Sequence, residues 1–187
     1  AIGIVPVARD QQALRAVVRP LAPGDELQLR RDLVVRPFET VHRVPSQGYL
    51  FERVHKRLKE GYQGLSPEEL YKLREYGEEL DEPVREPLLA VTGDTTIEGL
   101  LRNPEALGAP RLIVEATFLG ERVSPDRAEA LGHVHLDQIA EIADRIECRA
   151  LLINHVSPRY SGDQARQHVL ERFPEDLARR TQVMVSG

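Results

Sequence analysis

Four polar signals stand at the ends of apolar runs in this chain. Leu151-Leu152-Ile153 leads into Asn154-His155, Phe38-Glu39-Thr40-Val41 into His42, and Val91-Thr92-Gly93 into Asp94. The fourth is Glu115, inside Leu112-Ile113-Val114-Glu115-Ala116, read together with His133 in Gly132-His133-Val134-His135. A His or Asp that closes a buried strand presents its side chain at the rim of a sheet, where α/β proteins gather metal ligands and catalytic groups. Imidazole nitrogens and carboxylate oxygens are donors for zinc, manganese or iron. The four signals point to one shared site.

Each residue also has a plainer reading. His42 suits a satisfied structural histidine as well as a ligand. Asp94, where a buried strand gives way to a helix, is either an N-cap or a carboxylate bridging one or two metals. Glu115 is costly within an apolar strand unless it is paired or catalytic, and a buried salt bridge is the alternative to chemistry. His133 and His135 diverge if both are helical, so they share a metal only if His133 still lies in the loop. A better reading pairs one of them with Glu115 as a proton-transfer couple, the carboxylate holding the imidazole's tautomer.

Positioning these groups requires alternating strands and helices. Ile2–Val7 is expected as a strand and Gln11–Arg19 as a short helix stopped before Pro20. Glu26–Arg31 and Leu33–Glu39 form a hairpin turning at Arg31-Asp32, and Tyr49–Val54 is another strand. Ser66-Pro67-Glu68-Glu69 is a capping box that opens a helix over Pro67–Tyr76, ended by Gly77. Leu88–Thr92 and Leu112–Ala116 read as strands buried on both faces. The stripe Leu136, Ile139, Ala140, Ala143 and Ile146 predicts a helix over His135–Glu147. Ala150–Asn154 follows as a strand, Ser161 caps a helix reaching about Phe173, and Gln182–Val185 closes as a strand. The polar stretch Arg53–Glu86 reads as a surface excursion (55–86) within one domain, 1–187, rather than as a boundary.

Composition limits the functional class. With 41% hydrophobic and 29% charged residues over 187 positions, the chain can bury a substantial core as a soluble domain. No apolar run approaches the roughly 20 residues needed to span a bilayer, and the first residues lack a signal-peptide pattern. The lone Cys148 permits no internal disulfide, which places the chain in a reducing, cytoplasmic setting. A net charge of −5 argues against bulk, non-specific nucleic-acid binding and leaves a local basic groove open.

Together, Thr40-Val41-His42-Arg43-Val44-Pro45-Ser46-Gln47-Gly48-Tyr49, Thr92-Gly93-Asp94-Thr95, Glu115-Ala116-Thr117-Phe118, Gly132-His133 and Asn154-His155-Val156-Ser157-Pro158-Arg159-Tyr160 resemble, in order and spacing, the ribonuclease Z branch of the metallo-β-lactamase-fold hydrolases. The resemblance implies an αββα sandwich with the site at one rim between its sheets, this chain supplying mainly the C-terminal half. It implies that His42 and His155 each bind one zinc and that Asp94 bridges the two. It further implies that Glu115 and His133 protonate the leaving group. The implied reaction is removal of a transfer-RNA 3′ trailer, with metal-bound hydroxide attacking phosphorus, by a homodimer.

The departures from that pattern are specific. The family's His-x-His-x-Asp-His cluster is absent, since no histidine precedes His42, so the sequence reads as the second half of a larger hydrolase. Three ligands shared by two metals leave each zinc short of its usual three protein donors. Val114 stands where the family has histidine before the glutamate, and His135 where it has Ser or Thr. The excursion lacks the Gly-Pro-rich arm and carries instead Arg53, His55, Lys56, Arg57 and Lys59. A hydrolase of another ester or a small phosphodiester is therefore the alternative to transfer-RNA processing. A non-catalytic half-fold that binds a partner is the other, and it predicts a large exposed apolar face.

Overall fold

A computed structural model of the chain describes residues 20–185. The expected strand Ile2–Val7 and helix Gln11–Arg19 lie outside the described residues. β1 (Leu27–Arg30) and β2 (Leu33–Glu39) form the expected antiparallel hairpin, with Val34 and Val35 buried. β3 (Gln47–Leu58) follows, then a 3-10 turn at Glu60–Tyr62 and α1 (Pro67–Glu75). The Ser66 hydroxyl accepts from the Glu69 N–H while the Glu69 carboxylate accepts from the Ser66 N–H, so the capping box is complete. Those bonds from Ser66, its backbone N–H first, hold the Glu69 carboxyl below its ordinary pKa. Gly77, at φ +84°, ends the helix in a conformation that costs glycine little.

β4 (Asp81–Val91) returns antiparallel to β3. The run Leu88–Thr92, expected as a short strand of its own, is the end of this longer one. Its earlier residues are polar because the outer part of the β3–β4 ribbon stands in solvent, where Arg57 and Glu82 pair across the strands at 2.8 Å. The chain then forms α2 (Ile97–Leu101), α3 (Pro104–Leu107), β5 (Arg111–Glu115), α4 (Pro125–Ala130), α5 (Leu136–Glu141), β6 (Ala150–Asn154), α6 (Gly162–Arg172), α7 (Glu175–Arg179) and β7 (Thr181–Val183). The helix predicted over His135–Glu147 ends at Glu141 and tightens into a 3-10 turn, Ala143–Arg145. That tightening keeps Ile146 in the core while returning the chain to Ala150, where β6 must start.

The seven strands of the described residues lie in one sheet in sequence order, antiparallel through β4 and parallel from β4 to β7. Period-two alternation divides its faces. Leu50, Ala90, Leu112, Val114, Leu151 and Ile153 are buried with Leu100, Leu107, Leu136, Ile139, Val169 and Leu177 of the helices. The opposite face carries Tyr49, Val91, Ile113 and Leu152 in one row of register, all only half-buried. A sheet with helices on one face and an apolar second face is one α and one β layer, which is what half of an αββα sandwich presents.

Glu52 is 2% exposed on β3, and Arg36 Nε donates to it at 2.6 Å. Arg36 also reaches Glu105 in the first turn of α3 at 2.8 Å, so the guanidinium fastens that helix to the sheet. The Glu52 carboxylate raises the pKa of Arg36 and answers a buried charge with a partner. Cys148 is buried and free, and burial pushes its thiol pKa up, away from thiolate chemistry. Among the described residues no helix is long and apolar enough to cross a membrane.

Candidate metal centre

β2 and β4 both run antiparallel to β3, and β5 and β6 run parallel to β4. The C-terminal ends of all four strands therefore open on one rim. His42 follows β2, Asp94 follows β4, Glu115 is the last residue of β5, and His155 follows β6. His133 arrives from the loop between α4 and α5, the placement it needs to reach the site.

Glu115 sits at the centre and is 1% exposed. One carboxylate oxygen accepts from His133 Nδ1 at 2.8 Å and from the Thr95 N–H at 3.2 Å. The other accepts from the Thr117 N–H at 3.0 Å and the Thr117 hydroxyl at 2.9 Å. Four donors satisfy a carboxylate that burial alone would penalise. Because Nδ1 of His133 is committed to Glu115, its Nε2 is the nitrogen available to the rim.

His42 is held in the same sense. Its Nδ1 donates to the Gly132 carbonyl at 2.7 Å, leaving the Nε2 lone pair available. His155, at φ +55°, is the one non-glycine residue in the left-handed region among the described residues, a conformation that concentrates at functional sites. Its Nδ1 lies 2.9 Å from the Thr117 hydroxyl and its Nε2 3.7 Å from Asp94 Oδ1. The His133 ring centroid is 5.0 Å from that of His42 and 5.3 Å from that of His155.

Donor atoms of Asp94, His133 and His155 lie within 4.8 Å of one another. A set of two imidazoles and one carboxylate suits a divalent transition metal. His42 stands beside this trio through its contact with His133 and is not part of it. The five residues singled out in the sequence thus converge, with His133 facing both Glu115 and the close donor set. His135 does not join them. It is 1% exposed, accepts from the Asp137 N–H at its Nδ1, donates from Nε2 to the Gly120 carbonyl, and caps α5.

Residues quoted above only as part of the resembling segments, with no role of their own, complete the frame. The hydroxyls of Ser46 and Thr40 donate to the Asp94 carbonyl at 2.8 and 3.4 Å, so the loop is held through its backbone and the Asp94 carboxylate is left unencumbered. Thr117 had a readable signal, since two residues from Glu115 along an extended chain puts both side chains on one side. Gly132 had none. Its φ is +86°, and a Cβ there would lie 2.7 Å from His42 Nδ1. Gly132→Ala is accordingly expected to cost about 1–3 kcal/mol in urea unfolding and to displace the His42 imidazole, because the backbone strain and the clash with Nδ1 act together.

The sheet, its helical face and its rim of His and Asp donors define a metallo-β-lactamase-fold protein. The metallo-beta-lactamase fold protein YhfI from Bacillus subtilis superposes with a TM-score of 0.55 over 89% of this chain and 52% of that one, at 16% identity. In sequence the chain is 44% identical over 163 residues to the chloroplastic tRNase Z TRZ2 of Arabidopsis thaliana, covering 86% of this chain and 46% of that protein. It is 34% identical over 180 residues to tRNase Z TRZ1 of the same plant, covering 95% of this chain and 64% of the relative. A ribonuclease Z of Saccharolobus islandicus is 28% identical over 175 residues, covering 79% and 55%. No family model matches the chain. The chain is a ribonuclease Z-like protein, and it spans 46% and 64% of the lengths of the two Arabidopsis proteins.

Proposed function

We propose that this chain supplies one part of the active site of a metal-dependent phosphodiester hydrolase that removes 3′ trailers from transfer-RNA precursors. The observation that carries the reading is the Glu115–His133 couple beside the Asp94–His155 donor set, on a chain 44% identical to a tRNase Z over 163 residues. His42, Asp94 and His155 are the proposed metal ligands, with zinc preferred and manganese or iron as substitutes. A divalent metal held by these residues would supply Lewis-acid stabilisation of phosphoryl charge and would lower the pKa of a bound water.

The chain's own residues do the rest. Glu115 holds the Nδ1–H of His133, so Nε2 is the atom that carries a proton to the departing oxygen. The cavity of about 740 Å³ beside the site, bordered by His42, Arg43, Ser46 and Tyr49, offers the substrate its approach, and Arg43 brings a cation to the phosphates. A homodimer is expected on the resemblance. A reducing compartment is proposed, the cytoplasm first, with an organelle as the alternative because one relative is described as chloroplastic.

A second reading has an observation in its favour. His133, rather than His42, belongs to the close donor set with Asp94 and His155, which suits a single metal held by those three. The function is tested by incubating the full-length protein with a transfer-RNA precursor bearing a 3′ trailer, with and without a chelator. Trailer release that stops on chelation and returns with zinc or manganese is expected. Hydrolysis of small phosphodiesters alone moves the substrate class, and no metal-dependent hydrolysis of either overturns the proposal.

A further inference from the structure

Thr117 is within hydrogen-bond distance of two partners with different proposed tasks. Its hydroxyl is 2.9 Å from Glu115 Oε2 and 2.9 Å from His155 Nδ1. A hydroxyl has one proton, and a carboxylate only accepts, so that proton goes to Glu115. The oxygen then accepts from His155, which must carry its proton on Nδ1. The result is a continuous chain of bonds, His133 Nδ1–H to Glu115, Thr117 O–H to Glu115, and His155 Nδ1–H to Thr117. The backbone builds this in advance: the Ala116 N–H donates to the Asn154 carbonyl at 3.1 Å, and the Ser157 N–H to the Thr117 carbonyl at 3.1 Å. Those two bonds lace the loop after β5 to the loop after β6 and keep Thr117 opposite His155.

We infer that Thr117 is a positioning residue whose hydroxyl sets the Nδ1–H tautomer of His155, leaves its Nε2 bare for a metal shared with Asp94, and thereby couples the Glu115–His133 pair to the metal donors. The inference rests on the proposed roles of His155 as ligand and of Glu115 and His133 as the proton couple. It adds the element that joins them. His155 has a side chain 47% exposed, so without Thr117 its ring answers to water, where a neutral imidazole favours the proton on Nε2, the nitrogen a metal needs bare. A group that orients a ligand histidine through its other nitrogen typically changes metal affinity by about 10–100-fold when removed.

The test compares the full-length chain with Thr117→Val, Thr117→Ala and Thr117→Ser. Long-range proton–nitrogen spectra of histidine-labelled, metal-stripped protein, recorded where the imidazoles are neutral, read the tautomer of His155. Zinc affinity is read by competition with a chelating dye. The Nδ1–H form is expected in the parent and in Thr117→Ser, and the Nε2–H form in the valine and alanine chains, with zinc binding weakened about 10–100-fold. The alanine chain keeps the test open if valine prevents folding. Retention of the Nδ1–H form in the hydroxyl-free variants, or parental zinc affinity in them, overturns the role of Thr117. Neither reading involves substrate, so failure of the phosphodiesterase proposal and failure of this one are separately visible.

Discussion

Asp94→Ala is expected to abolish metal-dependent hydrolysis by the full-length protein and to lower its zinc content, while leaving the fold of this chain intact. The separation follows from how the residue is held. Thr40 and Ser46 grip the Asp94 carbonyl, which alanine retains, whereas the carboxylate faces His155 Nε2 at 3.7 Å and is 40% exposed. Loss of an exposed carboxylate with no structural bond changes stability by about 0.5 kcal/mol or less. Loss of the Lewis-acid contribution, several kcal/mol, corresponds to about 10³-fold or more in rate. The measurement is turnover on a trailer-bearing precursor beside metal analysis and thermal unfolding of the same preparation. Unchanged turnover removes Asp94 from the centre.

His133→Ala separates proton transfer from metal binding. As the proposed proton donor, its loss should cost about 10²–10⁴-fold in kcat on a ribose leaving group. The same variant should be nearly unaffected on an aryl phosphodiester, whose departing phenolate needs no proton. Zinc content should stay at the parental level, whereas His42→Ala should reduce it. The opposite pattern, with zinc lost from His133→Ala and kept in His42→Ala, establishes the single-metal reading built on Asp94, His133 and His155. Glu115 is a less clean probe. All four of its bonds are accepted from donors, so Glu115→Gln sets an amide N–H₂ against an N–H or O–H and is expected to lower stability by about 1–3 kcal/mol as well as rate.

Much of the site was legible before any folding. The residues that end strands, the complete capping box at Ser66 and the β1–β2 hairpin all follow from periodicity and cap chemistry acting over a few positions. Pairing a histidine with Glu115 was likewise within reach, because a carboxylate in an apolar strand demands a partner, whereas whether His133 lay in the helix or the loop before it stayed open. The end of the helix at Glu141 and the length of β4 were not, since each is set by where the next strand must join the sheet and by cross-strand partners distant in sequence.

Which residue types meet at the rim, and on which strand ends, was thus already written in the chain's local patterns. Which nitrogen of each imidazole faces the site was not. His42 is oriented by the Gly132 carbonyl 90 residues away, His155 by a hydroxyl 38 residues away, and His133, not His135, by Glu115. Periodicity and capping reach a turn or two along the chain, whereas a tautomer is set by a partner that only the assembled sheet brings within hydrogen-bond distance.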